Sequence, residues 1–145
     1  MISEEQADLL TEKLKYKYKD VLKEFQLYTM KIYEGTDVEQ NALHIQTIYV
    51  KDEYVGKKEG QKILEEIFDW CLEKGCHVTL YWDTDGGQAL EDLWRYDYGF
   101  EYYDHYLDRD GMKYASPRSD GLMLKEIYTD EQEYITRKDN DLFYL

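Results

Sequence analysis

The run from Ile48 to Gln61, IYVKDEYVGKKEGQ, holds the residues of this 145-residue chain whose order best suits a chemical task. A β-branched and aromatic stretch ends at Val50, then come Gly56, Lys57, Lys58 and Gly60, and a helical apolar period starts behind Gln61. Backbone N–H groups at a helix start combine with the positive end of the helix dipole to attract an anion, and glycines let a phosphate approach the main chain closely. The turn therefore reads as an anion site, with Lys57 and Lys58 adding charge and Glu59 opposing it. The plainer alternative is that Gly56 and Gly60 only shape a tight strand-to-helix connection.

Other chemistry finds less support. Asp83-Thr84-Asp85-Gly86 begins like a calcium loop, but the later ligands, including the bidentate Glu, are missing at the needed spacing, so it reads as a strand-to-helix turn. Cys71 and Cys76 fit neither a CxxC redox pair nor half of a zinc site, and are expected to be reduced thiols, Cys71 as a small buried hydrophobe. Ser3, Ser116 and Ser119 lack a GxSxG context, which leaves serine hydrolysis no foothold. No metal site is expected.

The elements that must position the turn are legible from periodicity. Ser3 and Gln6 form a capping box for a helix over about residues 4–18, with Ala7, Leu10 and Leu14 as its apolar stripe and Lys13, Lys15, Lys17 and Lys19 as a solvated fringe. Val21–Tyr33 drifts into alternation and predicts a strand; Gly35 and Asp37 turn the chain; Leu43–Val50 predicts a central strand. Ile63, Leu64, Ile67, Phe68, Cys71 and Leu72 give the helix Lys58–Lys74 one broad apolar face, and Gly75 stands where its C′ glycine would. A short strand His77–Trp82 and a helix Ala89–Tyr96 follow, which implies that the two strands flanking the first of these crossovers run parallel. Strands Glu101–Leu107 and Gly121–Tyr128, separated by a loop through Pro117, precede a polar tail over 129–145.

Composition narrows the function classes. With 18 Lys+Arg against 32 Asp+Glu, the net charge is −14, and such a surface repels nucleic-acid phosphates and anionic membrane, so neither is an expected partner. No apolar run approaches a membrane span, and MISEEQADLL lacks the basic start and apolar stretch of a secretory signal, so a soluble, cytoplasmic protein is expected. The absence of repeats and linkers predicts one domain over 1–145. Sixteen tyrosines and a single proline suit a surface rich in rigid contact groups, or dense strand packing.

The order of parts over residues 43–128 resembles the GCN5-related N-acetyltransferase (GNAT) superfamily. That family's central strand leads through a (Q/R)xxGx(G/A) loop into a helix whose amides hold the acetyl-CoA pyrophosphate. Here the loop reads VGKKEG, a degenerate version with Val55 for Arg or Gln and Lys58 for the middle glycine, Gly60 being retained. GGQALEDLWRYDYGF is similar to the family's NxxAxxLYxKxGF, longer by two residues, with Trp94 at the place of the tyrosine that protonates the leaving thiolate. GFEYYDHY and GLMLKEIY resemble its last two strands.

The resemblance implies an α/β (α+β) fold, a mixed central sheet flanked by helices, with a shortened N-terminal part over 1–42. It implies acetyl-CoA as cofactor, bound by Gly56, Lys57, Lys58, Gly60 and Gln61 and along the backbone of Ile48, Tyr49 and Val50. Tyr96 or Tyr98 would be the acid, and His44, Gln46 or Asp83 would serve near the base position. The short N-terminal part leaves room for a second copy, as a homodimer, to complete the acceptor site.

Two functions follow. One is acetyl transfer from acetyl-CoA to a primary amine of a small molecule or protein, an acidic groove suiting a cationic acceptor. The other is an inactive scaffold whose acidic surface occludes a basic, nucleic-acid-binding protein partner.

Overall fold

The computed structural model describes residues 1–34, 38–81, 96–102 and 122–127. Helix α1, Glu4–Lys17, starts where Ser3 and Gln6 cap each other: the Ser3 hydroxyl accepts from the Gln6 N–H at 3.2 Å and the Gln6 side chain accepts from the Ser3 N–H at 2.8 Å. Strands β1, Leu22–Glu34, and β2, Val38–Val50, pair antiparallel along their length. The second begins before the expected Leu43, because pairing with β1 draws Val38–Ala42 into the ladder despite the weak strand propensity of Glu39, Gln40 and Asn41.

Helix α2, Glu59–Lys74, follows and ends in a Schellman motif. Gly75 takes a left-handed φ of 72° and donates to Leu72 O at 3.3 Å, while Cys76 N–H donates to Cys71 O at 3.0 Å. The chain then enters β3, Val78–Tyr81, parallel to β2 as expected. Strands β4, Glu101–Tyr102, and β5, Leu122–Lys125, join them, and among the described residues the sheet has five strands in the order β1-β2-β3-β5-β4. β5 lies antiparallel between β3 and β4, which makes the sheet mixed. The expected helix Ala89–Tyr96 lies outside the described residues except for Tyr96, as do the Gly35–Asp37 turn and the polar tail.

One core cluster joins Ala7, Leu10 and Leu14 of α1 and Ile63, Leu64, Ile67 and Cys71 of α2 to Phe25, Leu27, Leu43, Ile45, Val78 and Leu80 of the sheet, so both helices cover the same face. Phe25, Leu43, Ile63, Ile67 and Val78 are each 2% exposed or less, and burying a side chain of this kind contributes about 1.5–3 kcal/mol. The helices are tied together at Glu66, which accepts from Lys17 Nζ at 2.6 Å and from the Tyr18 hydroxyl. Thr11 secures the outer strand: its hydroxyl donates to Ala7 O at 2.8 Å and accepts from Leu27 N–H at 3.2 Å. That amide belongs to a terminal strand and would otherwise lack an acceptor inside the fold.

Candidate functional site

The site begins at a fault in the β1–β2 ladder. Register passes from Gln26↔Thr47 to Leu27↔Ile45, leaving Gln46 as an extra residue in β2. Such a bulge bends and twists a strand. Described pairing of β2 with β3 runs only from Leu43↔Val78 to Ile45↔Leu80. Past the bulge, Ile48, Tyr49 and Val50 stay bound to β1, opposite Phe25, Glu24 and Leu22, and have no β3 partner among the described residues.

Val50 delivers the chain to the turn. Lys51 N–H donates to Val21 O at 2.8 Å, a 3₁₀ turn spans Asp52–Tyr54, and Lys57 N–H donates to Tyr54 O at 3.2 Å. Gly56 has φ 79°, which explains a glycine there, and Lys58, the N-cap of α2, adopts φ 63°. The first bond of α2 runs from Lys62 N–H to Lys58 O at 3.3 Å, so the amides of Glu59, Gly60 and Gln61 have no acceptor within the helix. Lys58 supplies no side-chain cap, in contrast to Ser3 on α1.

Gly60 is explained by neither backbone nor packing. It has no positive φ, and an added Cβ would meet only Val50 Cγ1, at an ordinary 3.9 Å. Glu59, the one acidic group in the first turn, is paired with Lys62 at 3.1 Å, and the Gln61 side chain donates to Glu65 at 3.3 Å.

The expected acid and base groups fall in different surroundings. His44 points away from the helices, since it alternates with Leu43 and Ile45 of the core. It is 4% exposed, its Nδ1 lies 2.8 Å from Thr79 Oγ1, and its ring meets Tyr81 edge-on at 5.2 Å. Burial pushes its pKa down to about 4, so the ring is neutral at pH 7. Tyr98 lies on the helix side, 6.5 Å from the Phe68 ring, with its hydroxyl pKa raised by burial and by Asp97 and Glu65. Tyr96 is exposed, and Asp83 lies outside the described residues.

The structure thus brings Ile48–Val50 and Gly56–Gln61 together and sets Tyr98 against α2, while His44 stands on the opposite face of the sheet. Thr79, the partner that fixes the His44 ring, carries no signal in the sequence beyond its place in a strand. Gln46 is an exposed residue whose importance comes from the bulge, which depends on β1 as much as on β2. Among the described residues no cluster of His, Cys, Asp or Glu could hold a metal, and no helix is long and apolar enough to cross a membrane.

A mixed sheet whose bulged strand β2 leads through a tight turn into an uncapped helix start fits a GNAT-like fold. The sequence model of the acetyltransferase (GNAT) family matches residues 29–100, from the second half of β1 through Phe100, which supports membership of that superfamily. A search of curated proteins found no match.

Proposed function

We propose that the chain is an N-acyltransferase that moves the acetyl group of acetyl-CoA to a primary amine. The observation that carries this reading is the α2 start: uncapped amides at Glu59, Gly60 and Gln61, beside a glycine that neither φ nor packing requires. The pyrophosphate would accept from those amides with Lys57 and Lys58 nearby, and the pantetheine arm would bond the β2 backbone at Ile48–Val50.

The neutral amine attacks the thioester carbonyl, the C–N bond forms and the C–S bond breaks; the amine loses one proton and the thiolate gains one. Tyr98, whose hydroxyl pKa its surroundings raise, or Tyr96 supplies the second proton, and Asp83 or water takes the first, since His44 is buried on the opposite face of the sheet. Thermal unfolding with acetyl-CoA tests the binding step. At about 100 times its dissociation constant a ligand stabilises the fold by about 2.7 kcal/mol, several degrees for this size. Gly60→Val should abolish the shift, and no shift at millimolar acetyl-CoA would sink the reading.

A further inference from the structure

At the β1 edge of the described sheet, where the end of α1 meets the start of β1, lies a groove of about 540 Å³. Gln46 and Thr47 form part of its wall, and Lys15, Lys19 and Lys23 line it against a single carboxylate, Glu24. The rest of the wall is apolar or neutral: Leu22, Phe25, Gln26 and Tyr28. In a chain of net charge −14, a concave surface with three cations to one anion is a local reversal of sign. The lysines are only lightly engaged elsewhere: Lys15 is 4.0 Å from an exposed Glu12, and Lys19 lies 5.1 Å from the centre of the Tyr16 ring.

Resting on the acyl-transfer reading, we propose that this groove takes the amine acceptor by an anionic group, a carboxylate or a phosphate, held among Lys15, Lys19 and Lys23. The amine then lies at the Gln46–Thr47 wall, on the strand that runs on to Val50, whose side chain faces Gly60 at the start of α2. The substrate class is therefore a small amine that also bears an anionic group, such as an amino acid or an amino phosphate. A cationic polyamine, which the overall acidity of the chain favours, is repelled by these lysines at the point of binding. Lysines hold either anion as point charges, so the groove accepts both and the experiment separates them.

Amide chemical shifts of the full chain, labelled with nitrogen-15, read the groove directly during separate titrations with glutarate, glycerol 3-phosphate and putrescine. Glutarate or glycerol 3-phosphate is expected to move the amides of Lys19, Gln26, Gln46 and Thr47, the stronger of the two naming the anion, and putrescine to leave them in place. K15A/K19A/K23A is expected to weaken the effect about tenfold, K19E alone to act in the same direction, and the dispersion of their spectra reports an intact fold. The proposal is overturned if neither anion moves the groove amides, if putrescine does, or if the lysine variants bind as the parent does. Acetyl-CoA titrated into the same sample is read at Gly60 and Gln61: silence there removes the acyl-transfer reading, whereas movement there with a silent groove removes only the acceptor class.

Discussion

The Nδ1 atom of His44 lies 2.8 Å from the Thr79 hydroxyl, joining the parallel strands β2 and β3 from the face of the sheet opposite the helices. The pair fixes a ring that is 4% exposed and whose pKa burial lowers from 6.5 to about 4. The unfolded chain then binds a proton at His44 more readily than the folded one, so its neutrality contributes stability in full above pH 6.5. That contribution is lost as pH falls from 6.5 to about 4, and amounts to about 3 kcal/mol. Urea unfolding across this range should show His44→Gln losing less stability on acidification than the parent. Parallel pH curves for the two proteins would show that His44 does not resist protonation.

Gly99 predicts a two-part cost. Its φ is 77°, and a Cβ added to it would meet Lys125 Nζ at 3.0 Å, where that amine donates to Tyr98 O at 2.7 Å. The Gly-Phe pair that resembles a family signature is thus explained by packing, with Phe100 buried and its ring 6.2 Å from Phe68. Gly99→Ala is expected to destabilise by about 1–3 kcal/mol. Because the contact is the far end of a flexible side chain, the same substitution in a Lys125→Ala background should cost less, leaving only the backbone part. Equal costs in both backgrounds would place the whole effect on φ.

The spacing of the two cysteines, which fits no redox or metal motif, follows from the end of α2. Cys71 and Cys76 occupy the positions whose side chains meet across a Schellman motif, and both are buried. Their mutual hydrogen bond and burial hold the Cys71 thiol far above its ordinary range. Neither should react with a thiol reagent faster than the chain opens, so labelling rates should follow denaturant as unfolding does. Cys71→Ser is expected to cost about 1–3 kcal/mol, by burying a hydroxyl among Ile67 and its neighbours. Fast labelling in native buffer would contradict this placement.

Much of this arrangement is legible in the residues because it is local. Ser3 and Gln6, the stripe from Ile63 to Cys71, and Gly75 each depend on neighbours within a turn or two, and the structure places them as their spacing predicts, whereas Leu72, expected on the same apolar face, is 44% exposed. The place of the bulge, at Gln46, is not legible, since it exists only in the register of β2 against β1. The same holds for Thr11, whose role is to satisfy the Leu27 amide, and for β5, which inserts between β3 and β4 through pairing that no local pattern encodes. Lys15 and Lys19 read as a solvated fringe from periodicity, and only the fold sets them beside Lys23 and Gln46.

Lys58 makes the last prediction, because it departs from the family's glycine and adopts the backbone conformation that glycine favours. It is the one described non-glycine residue with positive φ, at 63°, and its exposed side chain makes no cap to repay the strain. A left-handed conformation costs a residue with a Cβ about 1–2 kcal/mol, partly offset because glycine loses more freedom on folding. Lys58→Gly should therefore raise stability by about 0.5–1 kcal/mol and Tm by a few degrees, whereas Lys58→Ala, which keeps the Cβ, should leave both nearly unchanged. If the strain persists because the lysine charge assists an anion at the turn, Lys58→Gly gains stability while losing acetyl-CoA affinity to the same extent as Lys58→Ala. Thermal unfolding of the three proteins with and without acetyl-CoA separates backbone strain from charge, and equal Tm values for the unliganded parent and Lys58→Gly would refute the strain.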